Sequence, residues 1–249
     1  MTDFVNAVIS ESRDGGIIHS YLSQQISWEG PMRKSFASLV ADLASGSPQS
    51  ITRVTERLQY LNGTYRTRYP VASMPCAVNV LVKLIGDMGW WRTSPPVLFG
   101  SSEIDSEQLA NMIPGILDGI EKQGCKRPYS LLTKFLHFCF PDSFPIYDAQ
   151  AASSIQMWSF LAFKNRDADW KQFRLLEMTD TSGHGYKSLV KFYNLFWSTT
   201  NDAQRTELVR STNMLSHHIG GKVSILDLVD KLLWLASGDP LPLGLTLRH

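Results

Sequence analysis

The residues best equipped for chemistry lie between Ser130 and Ala152, in the stretch SLLTKFLHFCFPDSFPIYDAQAA. Taken as a helix from about Ser130, it buries Leu131, Leu132, Phe135, Leu136, Phe138 and Cys139. Ser130, Lys134 and His137 then fall at i, i+4 and i+7, on one narrow polar stripe. Pro141-Asp142-Ser143 predicts a turn, Phe144-Pro145-Ile146-Tyr147 a short extended run, and Asp148 the residue that opens a second helix. An amine walled by apolar side chains is a nucleophile in waiting, and a fixed carboxylate is a base or counter-charge. Both residues also have ordinary roles, because an aspartate in this position caps a helix and a helical lysine lays its stem along apolar surface.

Other constellations do not reach this level. His217 and His218 are neighbours, so on a helix they point about 100° apart, and no HExxH spacing accompanies them. Gly183-His184-Gly185 and Gly220-Gly221-Lys222 are too short for phosphate loops, and no strand precedes either. There is no G-x-S-x-G elbow. Metal, nucleotide-loop and serine-hydrolase chemistry therefore have no residues to carry them, and no cofactor is expected.

The elements that must position the stretch read as helices throughout. Val5, Val8 and Ile9, then Ile18, Tyr21 and Leu22, predict short helices broken at Gly15-Gly16, and Gly30-Pro31 reads as a turn. Phe36, Leu39, Val40 and Leu43 mark the next helix. Ile51, Val54, Leu58 and Leu61 mark another, begun at Ser47-Pro48 and stopped at Asn62-Gly63. The helix from Ser73 to about Met88 is apolar over most of its circumference, the pattern of a central buried helix. Leu109, Met112, Ile113 and Ile116 define a helix behind an acidic first turn, and three more follow the central stretch: Tyr186 to Trp197, Asp202 to His217 and Ser224 to Ala236. No alternating run bounded by hairpin signals occurs, so the chain reads as all-α.

With 249 residues, 43% hydrophobic and 19% charged, the chain can bury a full core as one large domain or two modest ones. Its formal net charge is only +1, so any nucleic-acid role must rest on local clusters. Two such clusters stand out. Arg66 and Arg68 sit in the basic, aromatic loop Thr64 to Pro70, and Lys122, Lys126 and Arg127 surround the turn Gly124-Cys125-Lys126-Arg127-Pro128-Tyr129. A helical hairpin of that kind can present backbone N–H groups and cations to phosphates, although it also reads as a solvated turn. Trp90-Trp91 reads either as a pin that holds its loop to the core or as an aromatic wall. Cys76, Cys125 and Cys139 lie far apart in apolar surroundings with no C-x-x-C pair, and read as reduced core residues. No membrane span or secretory signal is apparent, which makes a cytoplasmic protein the expectation, and the chain is expected to be a monomer.

Phe144-Pro145-Ile146-Tyr147-Asp148, between an apolar helix and a small-residue helix, resembles the aspartate segment of the helix-hairpin-helix DNA glycosylase superfamily. Thr133-Lys134-Phe135-Leu136-His137-Phe138 resembles bacterial proteins of the 8-oxoguanine-glycosylase type, some of them from phage-defence loci. The resemblance covers about 25 residues. It implies a helix-hairpin-helix glycosylase-like fold of two helical lobes, about 1–98 plus the C-terminal helices and 99–200, with the active site between them. It also implies cleavage of the N-glycosidic bond of a modified base flipped out of double-stranded DNA, for instance a hypermodified phage base such as glucosylated hydroxymethylcytosine.

On that reading Asp148 and Lys134 are catalytic. Trp90, Trp91, Phe144, Tyr147, Trp158 and His137 form the base pocket, and Lys122, Lys126, Arg127, Arg66 and Arg68 grip DNA. The hairpin departs from the family's Leu-Pro-Gly-Val-Gly type, and Lys134 lies closer to the aspartate than the family's Schiff-base lysine. Two other readings compete: an enzyme of the same fold acting on free nucleosides or nucleotides, and a non-catalytic helical DNA-binding module in which Asp148 only caps.

Overall fold

The computed structural model of the chain describes residues 1–44, 49–87, 98–99, 103–164, 173 and 184–236. Trp90 and Trp91 lie outside the described residues. All regular structure among the described residues is helical, and the fold is an all-α, multi-helix one. The helices are α1 (Thr2–Ser12), α2 (Ile17–Gln24), α3 (Ile26–Ala44), α4 (Ser50–Thr64), α5 (Met74–Asp87), α6 (Glu103–Glu121), α7 (Tyr129–Cys139), α8 (Ala149–Lys164), α9 (His184–Thr199), α10 (Asp202–Ile219) and α11 (Ile225–Ala236). A 3₁₀ turn, Val71–Ser73, leads into α5. No helix of the described residues is long and apolar enough to cross a membrane.

The described residues divide into two compact units. The first takes residues 1–31, 148–164, 173 and 188–236, and the second the described residues within 32–147 together with 184–187. In the first unit α11 packs on α8 and α1 on α10. Phe4 is the hub of its core, meeting Trp158, Phe192 and Phe196 edge-on at 5.5, 5.6 and 6.0 Å between ring centroids. Edge-on pairs of this kind add to what burial alone contributes. Helix α10 starts in a full capping box between Asn201 and Gln204 and ends at Gly220, whose φ of 69° suits glycine.

In the second unit α4 packs on α5 and α7, and α6 on α5 and α7. Phe36 of α3 joins this core by meeting Phe135 and Phe138 at 5.7 and 5.5 Å. Three sequence expectations change here. Gly30-Pro31 is no turn, because α3 runs through both residues. Glycine is needed at 30 because a Cβ there would collide with the carbonyl of Ile219 at the end of α10. Helix α5 is not the central buried helix, since Asn79 and Lys83, one turn apart, are exposed. That place in the second unit belongs to α7, where only Ser130 is not buried. Finally, Cys76 and Cys125 are not reduced core thiols. They form a disulfide between α5 and the α6–α7 connection, with 6.5 Å between their Cα atoms, and both are partly exposed.

Candidate functional site

Helix α7 carries the expected polar stripe, of which Ser130 is partly exposed while Lys134 and His137 are covered. Lys134 is 5% exposed and His137 fully buried. A buried polar group must find partners, and both do. The Lys134 amine donates to Ser130 Oγ at 2.9 Å, one turn earlier, and lies 5.7 Å from the centroid of the Tyr65 ring. His137 Nδ1 is 2.8 Å from the carbonyl oxygen of Phe144, a contact in which the ring nitrogen donates. Arg33, also buried, stacks over Phe138 at 5.4 Å, and Phe138 is 5.9 Å from Tyr65. The second unit thus encloses two cations against one aromatic cluster. No local sequence signal marks Arg33 or Tyr65 as a member of this cluster, because they come from α3 and from the residue that ends α4.

The run from Phe144 to Tyr147 is neither helix nor strand and is buried, and side chains from elsewhere in its unit hold three of its four residues. His137 holds the carbonyl of Phe144, and the hydroxyl of Tyr186 donates to the carbonyl of Pro145 at 3.2 Å. Thr133 Oγ1 accepts the N–H of Tyr147 and lies within bonding distance of its carbonyl oxygen. The Tyr147 ring stacks on Tyr129 at 4.6 Å with an interplanar angle of 14°. Backbone outside helix and sheet leaves its polar groups without regular partners, and here side chains supply them at Phe144, Pro145 and Tyr147.

Asp148 ends this run and opens α8. Its Oδ1 accepts the N–H of Ala151 at 2.9 Å, the capping bond that its position in the sequence predicts, and the residue is partly exposed. The carboxylate is therefore held in a defined orientation at a helix N-terminus.

Family models, characterised proteins and solved structures gave no match to the chain. Among the described residues, no group of three or more His, Cys, Asp or Glu side chains is placed to hold a metal ion. Lys134, His137, Phe144 and Tyr147 belong to the second unit, while Asp148 and Trp158 belong to the first, where Trp158 packs on Phe4. Phe144 is fully buried and Tyr147 nearly so.

The cations fare differently. Arg127 is bound to Asp118 at 2.8 Å and to Glu121, so its charge is largely spent within the chain. The hydrogen bond and charge of Arg127 hold the Glu121 carboxyl below the usual glutamate range. Lys122, Lys126, Arg66 and Arg68 are exposed. Burial pushes the Tyr69 phenol up, with its Ser73 hydrogen bond opposing, so this side chain serves as a neutral donor in the same region.

Proposed function

We propose that this chain is a DNA N-glycosylase of the helix-hairpin-helix type, removing a modified base flipped out of duplex DNA and leaving an abasic site. The observation that carries the reading is Asp148: a carboxylate oriented by the Ala151 N–H, partly exposed, at the end of a buried run that three side chains hold in place. Departure of the base builds positive charge on the sugar. A preoriented carboxylate beside C1′ lowers the barrier most when it needs no reorganisation at the moment of reaction. In this mechanism Asp148 stabilises that charge and orients the water that attacks C1′, while the proton released on attack passes to the departing base. The Lys134 amine is a secondary candidate, a nucleophile for sugar opening after base release.

The Asp148 to Ala151 bond also suits a helical module in which the aspartate does nothing but cap. The experiment is to incubate the chain with duplexes carrying a series of modified bases, glucosylated hydroxymethylcytosine among them, and with free nucleosides. Released base and abasic sites are then measured. Release from a duplex, lost in Asp148→Asn, is the outcome expected. Release from nucleosides alone makes the chain a nucleosidase, and no release from any substrate leaves the capping module.

A further inference from the structure

Two acid-free runs meet on the surface of the second unit. One extends from Arg57 to Gly86 and carries Arg66, Arg68 and Lys83, and the other extends from Lys122 to Pro141 and carries Lys122, Lys126, Arg127 and Lys134. Two contacts join them. The hydroxyl of Tyr69 lies 3.1 Å from the carbonyl oxygen of Ser73 and 3.0 Å from that of Lys126, and the Cys76–Cys125 disulfide ties α5 to the α6–α7 connection. The loop between α4 and α5 is itself held fixed. Asn62 Oδ1 accepts from Thr67 Oγ1 at 2.6 Å and from the N–H of Tyr69 at 2.9 Å, while its Nδ2 donates to the carbonyl of Tyr69 at 2.9 Å.

Within that clamp Arg66 and Arg68 adopt φ of 47° and 58°, the left-handed region that residues with a Cβ avoid. Glycine would take either position without strain. Strain that a clamp maintains at two exposed arginines points to a use for their side chains. Among the described residues no carboxylate pairs with Arg66, Arg68, Lys122 or Lys126, whereas Arg127 is already paired with Asp118 and Glu121.

We propose that the α4–α5 loop and the α6–α7 connection form one preformed docking surface for a phosphodiester backbone, with Arg66 and Arg68 as its principal phosphate ligands and Lys122 and Lys126 beside them. The planar guanidinium fork matches phosphate oxygens two at a time, and a rigid loop loses little conformational freedom on binding. The choice of duplex DNA as partner rests on the glycosylase reading.

The test is fluorescence anisotropy of a labelled 20-base-pair duplex, titrated with the full chain at several salt concentrations. The variants are Arg66→Glu/Arg68→Glu and Arg66→Gly/Arg68→Gly. The glutamate pair is expected to weaken binding at least tenfold. The glycine pair is expected to lower the slope of log affinity against log salt by about two while raising the melting temperature by about 2 °C or more, because it removes charge and strain together. Reducing the disulfide with dithiothreitol, which converts the bond to two thiols as the reagent is oxidised, is expected to weaken binding in the wild type. No duplex binding by the wild type, or binding that both variants leave unchanged in affinity and slope, overturns the surface. Binding through these arginines without base release removes the glycosylase reading alone, and base release with binding indifferent to the substitutions removes the surface alone.

Discussion

Thr133 Oγ1 meets the backbone of Tyr147 on both sides, at 3.2 Å from its nitrogen and 3.2 Å from its carbonyl oxygen, fourteen residues along the chain. The side chain is fully buried, so no water replaces it. Thr133→Val keeps the shape and leaves the N–H of Tyr147 unsatisfied. It should cost about 1–3 kcal/mol in chemical denaturation, with slower base release because the run before Asp148 loosens. Wild-type stability in this variant would show that the threonine does not hold the run.

The cysteines make a second, independent check. Burial alone pushes the Cys139 thiol up, out of reach of a reagent that needs the thiolate, whereas Cys76 and Cys125 are partly exposed and oxidised. Iodoacetamide followed by intact mass should add nothing to the native chain and two groups after reduction. A third group should appear only in denaturant. Labelling of the unreduced native chain at Cys76 or Cys125 would contradict the disulfide.

The Arg127–Glu121 pair gives a pH signature. Arg127 lowers the folded-state pKa of Glu121 below its ordinary value of about 4.3. The stabilisation is therefore fully present above about pH 4.3 and is lost as pH falls through the lower folded value. Both side chains are at the surface, so the effect is small and screened by salt. Melting of wild type and Glu121→Gln should differ at pH 6 and converge near pH 3. A difference that persists at pH 3 would assign the effect elsewhere.

These contrasts show what was legible in the residues. The helices were, because periodic apolar side chains such as Phe36, Leu39, Leu58 and Leu61 reveal a buried face without tertiary information, and so was the cap at Asp148. Helix α3 was misread because the turn preference of Gly30-Pro31 is local, while the close approach of Ile219 that makes use of the glycine is not. The pairing of Cys76 with Cys125 across 49 residues, and the meeting of Tyr69 with Lys126, depend on how α4, α5 and α6 pack. Lys134 and His137 were legible as one polar stripe, but helical spacing does not tell which polar face another element covers.

Lys134 offers a chemical test of its own. An amine that adds to the C1′ aldehyde of the abasic site gives an imine with loss of water, and borohydride reduces that imine to a stable protein–DNA adduct. Its enclosed position beside Ser130 and Tyr65 motivates the experiment. Wild type with a cleavable duplex and borohydride should give a crosslinked band, and Lys134→Met, which keeps the apolar stem, should give none. A band of equal intensity in the variant would assign the nucleophile to another residue.

The most direct measurement of the central claim compares base release by wild type and Asp148→Asn. Asparagine still caps, so the variant should melt within about 0.5 kcal/mol of wild type, whereas Asp148→Ala should lose about 1 kcal/mol. Wild type should then release base from a modified duplex and Asp148→Asn should release none, with duplex affinity unchanged. Equal release by the two folded proteins would contradict the account.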